Sequence, residues 1–162
     1  MKNVFITGGA GFIGSHCAVS LSKNGFTPII LDNFSNSHQS VIKKLEIITN
    51  KKITFYKIDI KDKKKLRLIF KKHSCYAVIH CAGFKAVNES IEKPISYFDN
   101  NIVSTLSLLE CMQENKVFKL IFSSSAAVYD DRQPLPFTET SKIGNIKNPY
   151  GTTKYIIEKI LM

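Results

Sequence analysis

Short apolar runs alternate with longer amphipathic stretches along this chain. The first run, Val4–Ile6, enters a glycine cluster, and apolar residues then recur at helical spacing behind it. Strands separated by helices indicate an α/β fold with a doubly wound parallel sheet, Rossmann-like, of about five strands. The strands are predicted at Val4–Ile6, Pro28–Leu31 with Asp32 at its end, Ile53–Ile58, Ala77–His80 and Leu120–Phe122.

The predicted helices have recognisable ends. Asp62 suits an N-terminal cap, and Pro94 and Pro149 suit first helical positions. Proline and glycine residues between Asp130 and Asn148 predict a loop. The helices are predicted from the glycine cluster to about Asn24, over Ser40–Thr49, from Asp62 to His73, from Pro94 to about Asn115 and from Pro149 to Met162.

Composition and charge fit a single globular domain. The chain has 162 residues, of which 44% are hydrophobic and 22% charged, enough for a real core. Its net charge of +10 is concentrated in the lysine-rich stretch between Lys61 and Lys72. A solvated helix face explains that stretch better than a nucleic-acid patch, because no aromatic residues are interleaved as a stacking platform. We therefore expect no nucleic-acid partner.

The cysteines and the hydropathy pattern narrow the setting further. No C-x-x-C pair and no histidine at zinc spacing accompany the four cysteines, so we expect no metal and reduced thiols. No signal-type apolar segment precedes the first strand and no apolar run approaches the length of a membrane span. We expect a cytoplasmic protein with no membrane partner. The cysteines are Cys17, Cys75, Cys81 and Cys111.

The glycine cluster between the first strand and the first helix predicts a phosphate cradle. Glycine permits a tight turn and close ligand approach, and the N–H groups of a new helix face an anion. Gly9, Gly11 and Gly14 satisfy G-x-G-x-x-G, while Gly8 with the last two forms G-x-x-G-x-x-G. Asp32 lies where a ribose-binding carboxylate belongs, with no following arginine, which favours NAD over NADP. An ordinary turn without ligand is the weaker alternative.

Further candidates follow later strands, where an open parallel sheet binds its ligands. Asp59-Ile60 follows the third strand and Cys81–Lys85 the fourth; Asn100 lies on the next helix. Each has a plain alternative. Asp59 is equally explained as a turn or capping acid, and Lys85 and Asn100 as surface residues.

Tyr150 and Lys154 stand four apart, which places them on one helix face. A tyrosine normally titrates near pH ~10, and a catalytic base needs a pKa of about 7, a difference of ~4 kcal/mol. A cation at ~4 Å supplies about that much at an effective dielectric constant of ~20. A surface pair is the alternative for such a spacing by itself. The upstream cradle and the strand-end Ser125 favour a catalytic pair.

These motifs together resemble the extended short-chain dehydrogenase/reductase superfamily and, within it, the UDP-glucose 4-epimerase family. Similar 4,6-dehydratases usually carry an Asp-Glu pair where this chain has Ala126-Ala127, so the resemblance favours epimerisation. The stretches that carry it are Thr7–Gly14, Leu31–Asn33 with Asn36-Ser37, Ala82–Ser90, Tyr97–Asn101, Phe122–Tyr129 and Tyr150–Lys154.

The resemblance implies an NAD-dependent isomerase of galactose metabolism that interconverts UDP-glucose and UDP-galactose through a 4-keto sugar. Tyr150 would take the proton of the 4-hydroxyl, Ser125 would hydrogen-bond that oxygen, and Lys154 would bind the nicotinamide ribose. Lys85, Ser125 and Tyr150 would contact substrate. The implied NAD-binding residues are Gly8, Gly11, Phe12, Ile13, Gly14, Asp32, Asn33, Asn36, Ser37, Asp59, Ile60, Cys81, Ala82, Gly83, Lys85, Asn100, Tyr150 and Lys154.

The family pattern also carries expectations about assembly and extent. Family members often pair through helices that begin near Pro94 and Pro149, so a homodimer is possible. They also continue beyond the Tyr-x-x-x-Lys helix into a domain that holds UDP. We therefore expect residues 1–162 to form an incomplete NAD-binding domain without a substrate domain, its fifth strand an open edge.

Two points stay open at this stage. Asp130 stands where the family usually has glycine, and a need for positive φ there would strain the turn. The function is either a UDP-glucose 4-epimerase or a truncated, inactive NAD-binding module.

Overall fold

A computed structural model describes all 162 residues. They divide into two compact units, residues 1–82 with 106–123 and residues 83–105 with 124–162. In chain order the elements are β1 Asn3–Thr7, α1 Phe12–Lys23, β2 Thr27–Asp32, α2 Ser40–Thr49, β3 Thr54–Lys57, α3 Lys63–Lys72, β4 Cys75–His80, α4 Val87–Glu92, α5 Pro94–Phe98, a π-turn Asp99–Val103, α6 Ser104–Glu114, β5 Leu120–Phe122, a 3₁₀ turn Ala126–Val128 and α7 Pro149–Leu161.

The first unit is built on a five-stranded sheet in the order β3-β2-β1-β4-β5, with every pair parallel. The chain leaves β1 towards one edge and returns at β4 on its other side. This reversal makes the carboxyl ends of β1 and β4 a topological switch point, where such sheets bind ligands. The predicted doubly wound, Rossmann-like fold is confirmed.

Alternation along the strands separates two hydrophobic clusters. Phe5, Leu31 and Val78 pack with side chains of α3 and α6. Ile6 and Ile30 pack instead with side chains of α1 and α2. Successive strand residues point to opposite faces, so helices cover the sheet on both sides.

The lysine-rich helix α3 begins as predicted, because the Asp62 side chain accepts the Lys65 N–H at 3.1 Å. Its outer face carries ion pairs to α6: Lys63 to Glu110 at 2.6 Å, and a two-pronged pair from Arg67 to Glu114. These contacts support the interpretation of a solvated helix face. The absence of a nucleic-acid partner stays a prediction.

The predicted long helix from Pro94 to about Asn115 is confirmed in extent, because residues 94–114 are helical without a break. The sequence did not predict the π-helical turn Asp99–Val103 between α5 and α6, nor the separate short helix α4 before Pro94. The carbonyl of Asn101 accepts the Thr105 hydroxyl at 2.6 Å and the Ser104 hydroxyl at 3.3 Å. Side-chain bonds of this kind compete with the regular backbone ladder, which explains the widened turn.

The predicted loop over residues 130–148 contains no helix or strand, and a single bridge joins Tyr129 to Ile143. The open question of strain at Asp130 is answered, because Asp130 does not take a positive φ and the turn is not strained there. Its carboxylate instead accepts the Arg132 N–H at 3.1 Å and pairs with the Arg132 guanidinium at 2.6 Å. These bonds to Arg132 hold the pKa of the Asp130 carboxyl far below its usual range.

No helix of this structure is both long enough and apolar enough to cross a membrane. No group of three or more histidine, cysteine, aspartate or glutamate side chains comes together as a metal site would require.

Candidate active site

The glycine turn between β1 and α1 is a tight backbone crossing. Gly8 takes a φ of +66°, and its carbonyl accepts the Gly11 N–H at 3.0 Å. A Cβ on Gly14 would lie 2.3 Å from the Gly8 oxygen, a distance that no side chain tolerates. The turn is therefore shaped by the G-x-x-G-x-x-G pattern of Gly8, Gly11 and Gly14. Gly9 instead packs against the Ile30 side chain.

Helix α1 begins at this turn with its N-terminus uncapped. Gly11 is the N-cap, it provides no side-chain cap, and no acidic residue lies in the first turn. The side chains of Phe12 and Ile13 are 76% and 55% exposed there, so neither covers the start of the helix by packing into the core. Open backbone N–H groups with the positive end of the helix dipole suit an anion such as a pyrophosphate.

Asp32, at the end of β2, is buried and bound to the same turn. Its Oδ2 accepts the Ala10 N–H at 2.9 Å, and its Oδ1 accepts the Phe34 N–H at 2.8 Å and the Ser37 hydroxyl at 2.9 Å. A carboxylate has about four acceptor positions, so one is left for a ribose hydroxyl. The Ser37 hydroxyl donates its proton to Asp32 and thereby helps to hold that carboxylate in place.

The other candidates of the first unit lie around this turn. Asn33 is exposed, with its side chain accepting the Ser35 N–H at 3.0 Å, and Asn36 is exposed as well. Asp59 accepts the Lys61 N–H at 2.9 Å, the contact expected of a turn acid, while Ile60 is buried in the core. This contact supports the interpretation of Asp59 as a turn acid, although its Oδ2 could still accept a bond from a ligand.

The segment after β4 approaches the glycine turn closely. The Cys81 N–H donates to the Thr7 carbonyl at 3.0 Å, and a Cβ on Gly8 would lie 2.7 Å from the Ala82 nitrogen. The structure thus brings the glycine turn, Asp32 and Cys81-Ala82 together in one unit. The remaining candidates, Gly83, Lys85, Asn100, Ser125, Tyr150 and Lys154, belong to the other unit.

Asn101 is a buried residue that sequence reasoning missed. Its Oδ1 accepts the Phe84 N–H at 2.8 Å, and its Nδ2 donates to the Phe84 carbonyl at 3.1 Å and to the Thr153 hydroxyl at 3.0 Å. The predicted Asn100 only donates to Asn101, at 3.0 Å. Two adjacent asparagines inside a predicted helix were the available signal, since asparagine is a poor helix former. Asn101 links the loop after Gly83 to helix α7 beside Lys154.

A second missed contact fixes the loop that carries the exposed Lys85. The buried Tyr97 hydroxyl donates to Glu89 at 2.9 Å and accepts the Ala86 N–H at 3.1 Å. Burial, then the bond to Glu89, raises the pKa of Tyr97. The backbone next to Lys85 is thereby held, while the lysine side chain reaches into solvent.

Helix α7 carries the predicted catalytic pair. Its start is sealed by Asn148, whose side chain accepts the Gly151 N–H at 2.7 Å. Tyr150 and Lys154 are only 8% and 5% exposed, so they are not a surface pair. Ser125 caps the 3₁₀ turn and accepts the Ala127 N–H at 3.2 Å, which leaves its own proton for another acceptor. A buried phenol, a buried ammonium and a hydroxyl donor in one unit suit proton transfer to and from an alcohol.

Comparison with known proteins agrees with this chemistry. The family model described as GDP-mannose 4,6 dehydratase matches residues 5–162. The chain belongs to this family. Among curated proteins, the chain is 48% identical over 161 residues to the UDP-glucose 4-epimerase of Neisseria meningitidis serogroup A / serotype 4A. It is also 48% identical over 158 residues to the UDP-glucose 4-epimerase of Dictyostelium discoideum. The resemblance to the extended short-chain dehydrogenase/reductases and to UDP-glucose 4-epimerase is confirmed.

Solved structures of the same kind overlay on this chain. The UDP-glucose 4-epimerase of Bifidobacterium longum, in complex with NAD⁺ and UDP, matches with a TM-score of 0.97 and 44% identity over 99% of the chain. The epimerase of Stenotrophomonas maltophila, with bound NAD and formylated UDP-arabinopyranose, matches with a TM-score of 0.95 and 40% identity over 99% of the chain. The chain covers 48% of each of those proteins.

The same proportion holds for the curated relatives. The chain spans 48% of the Neisseria protein and 46% of the Dictyostelium protein, about half the length of the relatives it matches. Both are named epimerases although the family model takes its description from a dehydratase. This agrees with Ala126-Ala127, which lack the acidic pair expected of a dehydratase.

Proposed function

We propose that this chain is the NAD-binding part of a UDP-glucose 4-epimerase, which interconverts UDP-glucose and UDP-galactose. The observation that carries the proposal is the burial of Tyr150 and Lys154 one turn apart on α7. A phenol and an ammonium at that spacing form a base for a sugar hydroxyl. The 48% identity to named epimerases supports the choice of reaction.

The glycine turn fits the proposed cofactor. The uncapped N-terminus of α1 suits the pyrophosphate, and the free acceptor position of Asp32 suits an adenosine ribose. When bound, NAD supplies the hydride acceptor and donor that inversion at a carbinol carbon requires. The remaining cofactor assignments, including Asn33, Asn36 and Asp59, stay predictions.

The proposed roles of residues in the second unit, 83–105 with 124–162, follow from their charge and hydrogen bonding. Tyr150 takes the proton of the sugar 4-hydroxyl and later returns one to the 4-keto oxygen. Ser125 donates its free proton to the same oxygen, where negative charge develops. Lys154 stabilises the phenolate by its charge and binds the nicotinamide ribose. Lys85 binds an anionic or hydroxyl group of the ligand in this proposal, which its exposure on the loop beside Ala86 supports.

Turnover of UDP-galactose by the purified chain tests this proposal. We expect UDP-glucose to form, and Tyr150→Phe to lower its rate at least ~100-fold, because the base is removed. Tyr155→Phe is the matched control, the same change on the same helix, and we expect no comparable loss. A Tyr150→Phe variant with undiminished turnover would contradict the catalytic role.

The alternative function has a distinct outcome in the same experiment. A chain that retains NAD but forms no UDP-glucose is an NAD-binding module without turnover. The half-length match to the epimerases is the observation that keeps this alternative in view.

We further propose a homodimer through the helices that begin at Pro94 and Pro149. Large apolar side chains of the first of these helices and its flanks support it: Ile91, Ile95 and Val103 are 61%, 83% and 42% exposed. Sedimentation velocity measures the state directly, and a monomer at all concentrations would exclude it. The four cysteines form no disulfide in this structure, and the cytoplasm stays the predicted compartment.

A further inference from the structure

Ser124 and Glu158 make a contact that the proposed chemistry does not use. The Ser124 hydroxyl donates a hydrogen bond to Oε1 of Glu158, across 34 positions of sequence. Both side chains are half-buried. A hydroxyl that donates to a carboxylate makes a charge-assisted bond, stronger than one between neutral groups.

The two partners flank the proposed catalytic groups. Glu158 follows Tyr150 and Lys154 at the same spacing of four on α7, so the three share one stripe of the helix. Ser124 is joined by a peptide bond to Ser125. The hydrogen bond between Ser124 and Glu158 therefore links the helix stripe that carries Tyr150 to the neighbour of Ser125, the proposed hydroxyl donor.

A second contact holds the other side of Ser125. A Cβ on Gly151 would lie 2.7 Å from the Ala127 carbonyl oxygen, so the 3₁₀ turn rests directly on the start of α7. Gly151 and Glu158 are about 10 Å apart along the helix axis. Ser125 lies between Ser124 and Ala127 in the chain, and both neighbours are fixed to α7.

We propose that Glu158 is a positioning residue: its carboxylate holds the Ser124 hydroxyl and thereby sets the direction of the Ser125 hydroxyl. This inference rests on the proposed function for its consequence in turnover. Misplacement of a catalytic group by ~1 Å costs on the order of 100-fold in rate. Binding of NAD, which relies on the glycine turn, does not depend on this contact.

The kinetic test compares the full chain with four variants at Ser124 and Glu158 and one control variant. In Glu158→Ala and Ser124→Ala we expect kcat for UDP-galactose to fall ~10- to 100-fold, with KM and NAD affinity unchanged. Glu158→Gln retains an acceptor oxygen and should recover most of the turnover. The double variant Ser124→Ala with Glu158→Ala should be no slower than either single one, because both remove the same bond. Glu139→Ala, which removes an exposed carboxylate of the same unit, is the control for charge.

A second measurement works without turnover. The Ala127 amide donates to the Ser125 hydroxyl oxygen, so its NMR resonance reports the direction of that side chain. We expect this resonance to move in Glu158→Ala and Ser124→Ala and to stay in Glu158→Gln and Glu139→Ala. Thermal unfolding identifies any variant that fails to fold, in which case Ser124→Ala, the smaller change, decides.

The outcomes separate the two proposals. If the parent chain forms no UDP-glucose, the proposed function fails, and the Ala127 resonance alone decides the positioning role. Unchanged kcat in a folded Glu158→Ala variant of an active chain overturns the inference, as does an Ala127 resonance that does not move. Equal losses in Glu158→Gln and Glu158→Ala would assign the effect to charge and would also overturn it.

Discussion

The helices α1 and α7 begin in opposite ways. Helix α1 starts at Gly11 with no capping side chain, after a turn too tight for any Cβ at Gly14. Helix α7 starts at Asn148-Pro149, where the Asn148 side chain already accepts the Gly151 N–H at 2.7 Å. One helix N-terminus is left open to an outside anion and the other is closed by its own chain.

The difference shows two uses of the same element. On the proposed function, the backbone is the binding group at α1, where the glycines of the turn add no side chain that would cover the N–H groups. At α7 the proposed catalytic groups are side chains, the buried Tyr150 and Lys154, and a capped first turn would hold them in place. The glycine run and the asparagine–proline pair are therefore local signs of different helix starts, which the proposed function assigns to binding and to catalysis.

The largest expected effect is a change at Gly14. A Cβ there would lie 2.3 Å from the Gly8 oxygen, so Gly14→Ala must displace the glycine turn. We expect NAD affinity to fall at least ~100-fold, about 2.8 kcal/mol, measured by calorimetric titration. Gly25→Ala is the matched control, since a Cβ at Gly25 would meet nothing within 4 Å. Its φ of +80° costs ~1 kcal/mol of stability, and NAD affinity should not change. Equal affinity losses in the two variants would refute the cradle.

A cap placed on α1 makes the two helices alike. Gly11→Asp adds a carboxylate to the open N-terminus, where it competes with the ligand for the N–H groups and repels its phosphates. We expect NAD affinity to fall ~10-fold, about 1.4 kcal/mol. Gly11→Ser adds an uncharged cap of similar size and should weaken binding less. The same loss for both would show that crowding against Gly8, with a Cβ at 3.2 Å, outweighs charge.

Local sequence signals predicted most of this architecture. Strand β5, helix α2 and the Asp62 cap of α3 follow from hydrophobic pattern and capping chemistry within a few residues. The closeness of Asp32 to the glycine turn follows from the order of parallel strands. Such features depend on neighbours in sequence or on a topology with few alternatives.

The remaining features depend on partners far along the chain. The role of the Asn101 side chain rests on bonds to Phe84 and Thr153, which lie 17 and 52 positions away. The same is true of Ser124 and Glu158, which no spacing rule connects. At Asp130 the sequence raised the question of backbone strain. The structure shows no positive φ there, and the Asp130 carboxylate pairs with the Arg132 guanidinium. A periodic hydrophobic pattern predicts helices and strands but carries no information about which distant side chains pair in the fold.

The smallest expected effect is the removal of the cap on α7. Asn148→Ala deletes the acceptor of the Gly151 N–H, and loss of such a cap costs ~1 kcal/mol of folding stability. We expect a lower thermal midpoint with NAD affinity unchanged, because the glycine turn is untouched. Asn148→Asp keeps the acceptor and adds a favourable charge at the helix N-terminus, so it should restore the midpoint. If Asn148→Ala weakened NAD binding as strongly as Gly11→Asp, the division between an open binding helix and a closed catalytic helix would be wrong. An effect confined to stability and turnover would instead assign Asn148 to the support of Tyr150 alone.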